Sequence, residues 1–226
     1  MRWVSRGLLG MMGAASFLLS APAPAAALGG TPVTIDCGDG YPISATVSLD
    51  QLTKLEAIIQ DLATYPSGTA CSLNQGTADP NGSTGTYAFG AGHYGLSGCF
   101  FNFSFKAAYD HQGNLRGFQR VHALESNPPD CGEPYFVANV TCLAVSGNQA
   151  EVRGVISQGD DGFGTGHDLD GQTGITDGQD SLKGTPDMVD QGYDVAGTQN
   201  ACTAPGVNAA FEFPVDGHVE VSSTGS

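Results

Sequence analysis

The sequence predicts a mainly β, antiparallel domain, a sandwich or small barrel, with one N-terminal helix and a long Asp/Gly-rich loop. Three observations carry that expectation. Phe101, Phe103, Phe105, Ala107 and Tyr109 alternate with Asn102, Ser104, Lys106 and Ala108, the period of two of a half-buried strand. Short apolar runs recur between clusters of Gly, Asn, Asp and Ser, which are turn formers. Only one segment repeats its apolar residues at helical spacing.

The opening unit spans residues 31–73. Val33-Thr34-Ile35 and residues 43–47 read as strands around the turn Gly38-Asp39-Gly40. Ser48 and Gln51 have the spacing of a capping box. Leu52, Leu55, Ile59 and Leu62 then form an apolar stripe, with Lys54, Glu56, Gln60 and Asp61 mostly opposite. This predicts a core-facing helix, ended by Pro66 and Gly68.

Residues 74–85 read as a loop. Residues 101–109 and 115–122 form a hairpin around Asp110-His111-Gln112-Gly113-Asn114. In a second hairpin, Phe136, Ala138, Val140, Cys142 and Ala144 share one face. The chain turns at Ser146-Gly147-Asn148 and returns through Ala150, Val152 and Ile156. Phe211, Phe213 and Val215 alternate near the end, with Val219 and Val221 beyond. Residues 158–194 hold nine Asp, nine Gly and one Lys, with few large aliphatic side chains. Such a stretch buries too little apolar surface to order itself alone, so it reads as a loop.

The compartment follows from the ends and the cysteines. Residues 1–27 read as a secretory signal: Arg2 and Arg6 are the basic start, 7–19 the apolar run, and Ala25-Ala26-Ala27 the small-residue cleavage site. The run is shorter than the roughly 20 residues of a membrane span, and no later run is long enough. A soluble, exported monomer is expected, with 28–226 as a single β-rich domain. Its charge after cleavage rests on six basic residues against 23 acids, a balance of −17. That balance excludes the Lys/Arg footprint of a nucleic-acid binder and disfavours an anionic membrane surface.

All six cysteines, Cys37, Cys71, Cys99, Cys131, Cys142 and Cys202, fall in the mature part. An even count in an oxidising compartment points to three disulfides, and no close pair has zinc-knuckle spacing. Fifteen pairings are open; the preferred set is Cys37–Cys71, Cys131–Cys142 and Cys99–Cys202.

Chemistry is sparse. Asp168, Asp170, Asp177 and Asp180 are candidate calcium ligands, because calcium takes six to eight oxygens and closely spaced carboxylates around Gly171 supply them. In the EF-hand register Gly171 takes the glycine position, but Gly166 falls at the first ligand position and offers no side chain. Apart from calcium no cofactor is expected. The five histidines form no metal motif, and His93-Tyr94-Gly95-Leu96-Ser97-Gly98 is not a nucleophile elbow. A hydrolase would draw on His122, Glu125, Asp130 and Glu133, which sequence alone does not bring together.

Two stretches carry a family resemblance. One is Val33-Thr34-Ile35-Asp36-Cys37-Gly38-Asp39-Gly40, the helix, and Pro66-Ser67-Gly68-Thr69-Ala70-Cys71-Ser72-Leu73. The other is Phe101-Asn102-Phe103-Ser104-Phe105, Val140-Thr141-Cys142-Leu143-Ala144-Val145-Ser146-Gly147-Asn148-Gln149-Ala150, and Gly184-Thr185-Pro186-Asp187-Met188. Together they resemble uncharacterised secreted proteins of high-GC Gram-positive bacteria. The resemblance implies export, and it implies that the Asn-glycosylation sequons at Asn81, Asn102 and Asn139 are unused; it carries no activity. Three functional classes are therefore expected: an exported, disulfide-stabilised, non-catalytic domain for an extracellular ligand or envelope component; a secreted hydrolase; or a calcium-stabilised module.

Overall fold

A computed structural model describes residues 30–65, 68–76, 83–110, 112–124, 126–162, 168–181, 185–194, 202 and 213–223. The chain forms an eight-stranded antiparallel barrel with a small three-stranded sheet and one helix packed on its outside.

The opening unit comes first. Strands β1 (Thr31–Asp36) and β2 (Ile43–Val47) pair antiparallel, and β3 (Ser72–Gln75) adds to the other edge of β1. Helix α1 (Leu49–Thr64) starts at the expected capping box. Gln51 N–H donates to the Ser48 hydroxyl, and the Ser48 N–H donates to the Gln51 side chain. Its buried stripe is Leu52, Leu55, Ile58 and Leu62, so Ile58 takes the fully buried place expected for Ile59, which packs only partly. The helix stops one residue before Tyr65, itself followed by Pro66, because a residue preceding proline is driven out of helical geometry.

The barrel runs β4 (Ser83–Leu96), β5 (Cys99–Asp110), β6 (Leu115–Ala123), β7 (Tyr135–Ser146), β8 (Gln149–Asp160), β9 (Thr173–Gln179), β10 (Met188–Asp194) and β11 (Phe213–Ser222). Neighbours follow chain order from β4 to β10, and β11 closes the cylinder between β10 and β4. Closure removes every exposed sheet edge in this part of the molecule.

Two predicted features change. Residues 158–194 are not one loop: they supply the end of β8 and the whole of β9 and β10. Propensity failed because the inward positions of β9 are Gly174, Thr176 and Gly178 rather than aliphatics. The missing volume is supplied by phenylalanines from other strands. A Cβ on Gly178 would meet the Phe105 ring at 3.1 Å, and one on Gly174 would meet the Phe136 ring at 3.0 Å. The second change is in β7. A register shift between Val140 and Cys142 switches the inward face from Phe136, Ala138 and Val140 to Leu143. Cys142 and Ala144, expected on the inner face, therefore turn outward.

Eight strands enclose only enough room for side chains. Phe103, Phe105, Val140, Leu143, Val152, Val189 and Val219 fill it. A second core lies outside the barrel, where Tyr87, Phe89 and Ala91 of β4 meet Val33, Ile35, Ile43, Leu55 and Ile58. Each fully buried large side chain of this kind contributes about 1.5–3 kcal/mol.

All six cysteines are paired, as Cys37–Cys71, Cys99–Cys131 and Cys142–Cys202. The first is as expected. Cys131–Cys142 and Cys99–Cys202 are corrected: the bulge points Cys142 outward, where it meets Cys202, and the short 3-10 turn Pro129–Cys131 reaches the start of β5.

No helix among the described residues is long and apolar enough to cross a membrane.

Candidate functional site

The densest row of chemistry-bearing side chains runs around the outside of the barrel. Asp216 on β11 stands opposite His93 on β4, His93 opposite Asn102 on β5, Asn102 opposite His122 on β6, and His122 opposite Tyr135 on β7. Directly opposed residues share one face, so five strands present one continuous row. The end of α1 adds Tyr65, whose hydroxyl donates to Asp216 Oδ2 at 2.8 Å. This bond holds the Tyr65 hydroxyl above its ordinary pKa, and partial burial and the nearby negative charges add to the effect. The Tyr65 and His93 rings lie 4.5 Å apart and tilted, and the exposed Phe100 ring stands 6.4 Å beyond His93.

His93 Nδ1 lies 3.8 Å from Asp216 Oδ2, too far for a hydrogen bond, and has no hydrogen-bond partner among the described residues. No described Ser, Thr or Cys is hydrogen-bonded to His93. The row therefore presents aromatic rings, a carboxylate and two imidazoles side by side.

The four calcium candidates are not brought together. Asp168 and Asp170 sit in the turn that returns to β9, beside Asp160, in an open cleft of about 340 Å³ with Tyr135 and Gln158. There each carboxylate already accepts a backbone N–H: Asp160 from Gly162, Asp168 from Asp170, and Asp170 from Gly159. Asp177 lies mid-strand on β9, between Glu151 of β8 and Asp190 of β10. Asp180 pairs with Lys54 of α1. No group of three or more His, Cys, Asp or Glu side chains among the described residues has the geometry to hold a metal ion.

The hydrolase candidates also separate. Glu133 lines a groove of about 270 Å³ with Leu124, Asn127, Pro128, Pro129 and Gly162, as the one titratable lining residue among the described residues. Asp130 is exposed on the 3-10 turn, His122 stands outside the groove with its ring 6.5 Å from that of Tyr135, and Glu125 lies outside the described residues.

Two buried polar clusters escaped sequence reasoning. The first ties α1 to the barrel. Asp187 accepts the Ser181 and Val219 N–H groups at 2.7 Å each and the Lys54 ammonium at 3.1 Å. Beside it Glu220 accepts the Gln51 amide at 2.8 Å. Burial holds Glu220 well above the usual carboxylate range; the Gln51 bond opposes this and the Asp180 charge reinforces it. Asp187 lies in Gly184-Thr185-Pro186-Asp187-Met188, a stretch singled out in the sequence only for the family resemblance. The second is inside the barrel, where the Thr176 hydroxyl donates to Gln119 and accepts from the Gln191 amide, both at 3.1 Å.

No family model, no curated protein and no solved structure matches the chain.

Proposed function

We propose that the chain is an exported, disulfide-stabilised, non-catalytic domain that acts by binding an extracellular ligand or an envelope component. The observation that carries this reading is the complete pairing of six cysteines. Such pairing persists in oxidising compartments and is rare in a reducing cytosol. The three bridges clamp the opening unit, the start of β5 and the segment before β11. The basic start, apolar run and small residues of 1–27 supply the address.

Binding rather than catalysis is favoured by the outer row. Tyr65, His93, Phe100 and Asp216 present aromatic and polar groups on a rigid wall, and the hydrolase candidates do not converge. The test is expression of the full chain in a high-GC Gram-positive host, followed by fractionation, N-terminal sequencing and thiol titration. The reading expects protein in the culture fluid or envelope, a start near residue 28 and no free thiol. Cytosolic protein with reactive thiols would overturn it.

A further inference from the structure

The barrel closes on a short seam. Strands β10 and β11 pair at Met188 with Pro214 and at Val189 with Phe213. Beyond that point a side chain takes over from a strand. Asp187 Oδ2 accepts the Val219 N–H of β11 at 2.7 Å, and Oδ1 accepts the Ser181 N–H at 2.7 Å. Helix α1 packs against β11 here and sends Lys54 into the gap.

Four side chains meet there: Lys54, Asp180, Asp187 and Glu220. The Lys54 ammonium pairs with Asp180 and donates to Asp187 Oδ1 at 3.1 Å. The two carboxylates differ in standing. Both oxygens of Asp187 hold backbone N–H groups, so losing either oxygen would break a bond of the seam. Among the described residues no backbone N–H donates to the Asp180 carboxylate. Asp180 is fixed through its main chain instead: its N–H donates to the Asn148 carbonyl at 2.9 Å, and its carbonyl accepts the Asn148 amide at 2.6 Å.

Glu220 is 2% exposed and has Asp180 beside it. Burial pushes the Glu220 carboxyl up to about 8; the Gln51 amide and Lys54 oppose this, and Asp180 adds to it. At neutral pH Glu220 is therefore an acid that still holds its proton. Burial lowers Lys54, but Asp180 and Asp187 outweigh it and hold the ammonium above its ordinary pKa. The amine becomes a nucleophile only after passing a proton on, and Asp187 is the base within reach of it.

We propose that Lys54 and Asp180 condense into an isopeptide bond, with Glu220 as the acid and Asp187 as the base. One proton moves from the Lys54 ammonium to Asp187, and Glu220 protonates the Asp180 carboxylate. Lys54 Nζ attacks Asp180 Cγ, and the C–N bond forms. The nitrogen of the tetrahedral centre returns a proton to Glu220. The C–O bond breaks as the hydroxyl leaves with the Asp187 proton, as water. Ammonium and carboxylate have become an amide and one water. Glu220 and Asp187 end as they began, and no oxidant or cofactor is consumed. The fold holds the reacting groups in contact, and well-oriented intramolecular reactions reach effective molarities of about 10⁵–10⁸ M. The Asp180 side chain is 21% exposed, which gives the expelled water a way out. The product staples α1 to the segment between β9 and β10, across the short seam. This cross-link does not rest on export, so failure of the fractionation test leaves it untouched, and its own failure leaves the export reading in place.

The test is the intact mass of the oxidised chain, measured under denaturing conditions after overnight incubation at neutral pH and compared with the mass calculated from its sequenced N-terminus. The expected mass is lower by one water, about 18 Da. Digestion should yield a branched peptide joining Lys54 to Asp180, with no tryptic cut at Lys54. Lys54→Arg, whose guanidinium stays protonated, and Glu220→Gln, which cannot supply the proton, should each show the full mass. Melting curves confirm that the variants are folded, and the unsubstituted chain with its peptide map decides alone if they are not. The proposal fails if the unsubstituted chain keeps its full mass. It also fails if the lost water maps to a single residue or to another pair such as Lys106 and Asp39, or if folded Glu220→Gln cross-links undiminished.

Discussion

Asp177 on β9 stands directly opposite Glu151 on β8, and on its other side it stands opposite Asp190 on β10. Three carboxylates thus run side by side across the barrel wall, and Arg153, paired with Glu151, is the cation beside them. Burial, and then the charges of Glu151 and Asp190, push Asp177 up to about 7, against a smaller opposing effect of Arg153.

A carboxyl raised in the folded state binds more protons there than in the unfolded chain. Stability therefore falls as pH rises from about 4 to about 7 through this group. The raised Glu220 acts in the same direction. Thermal denaturation at constant ionic strength should show a higher melting temperature at pH 5 than at pH 8. Asp177→Asn should raise stability at pH 8 by on the order of 1 kcal/mol after solvent screening, with no gain at pH 5. A melting temperature that climbs from pH 5 to pH 8 would contradict this arrangement.

The disulfide between Cys142 and Cys202 spans 60 residues and holds the approach to β11, the strand that closes the barrel. Removing it as the double Cys→Ser variant should cost about 2–4 kcal/mol, read as a lower midpoint in urea. Peptide mapping without reduction should recover Cys99 joined to Cys131.

The helix and the strands with large apolar residues were legible because their patterns have periods of 3.6 and 2. Ser48 and Gln51 announced the helix start, and Phe101 to Tyr109 announced β5. Strand β9 was not legible for a specific physical reason. Its inward positions hold Gly174, Thr176 and Gly178, and the core volume at the two glycines comes from Phe136 and Phe105 on other strands. A residue whose partner fills its space leaves no apolar mark of its own. The candidate site was hidden differently. Asp216, His93, Asn102 and His122 are scattered along the sequence, and only the strand register makes them neighbours. Asp168 and Asp170 looked like ligands because of their spacing, yet each is occupied in closing a turn.

The same packing predicts a severe effect at Gly90. A Cβ there would lie 2.7 Å from the Phe105 ring and 3.2 Å from the His218 carbonyl. Phe105 is fully buried and also covers Gly178, so it has little room to retreat. Gly90→Ala should destabilise by about 1–3 kcal/mol through overpacking. Gly98→Ala tests the alternative that any glycine matters, because space around Gly98 is open and only its φ of +88° opposes the change. Chemical denaturation should place Gly90→Ala as the costlier of the two.

Lys106 is fully buried and its ammonium reaches one carboxylate, Asp39, at 2.6 Å. Burial lowers its pKa, and the Asp39 interactions oppose that shift. Asp39→Asn leaves a buried cation without its counter-charge, which costs about 3–5 kcal/mol where the group is fully enclosed and less here, because Asp39 is 24% exposed. The double variant Asp39→Asn with Lys106→Met removes both charges and should recover most of the loss. Equal destabilisation in the single and double variants would show that the pair serves the turn geometry rather than its own electrostatics.

Calcium supplies the last test. The candidates Asp168, Asp170, Asp177 and Asp180 occupy three separate places. In the one shared cleft the carboxylates of Asp160, Asp168 and Asp170 each hold a backbone N–H. Calcium needs six to eight oxygens converging at about 2.3–2.6 Å, so recruiting these groups means breaking turns that the fold uses. Ligand binding to the native state at a hundredfold excess over Kd raises stability by about 2.7 kcal/mol, a shift of several degrees for a domain of this size. Millimolar calcium should produce no such shift relative to chelator. If one appears and is abolished by Asp168→Asn, the turn does open around the ion and the calcium-stabilised reading is restored.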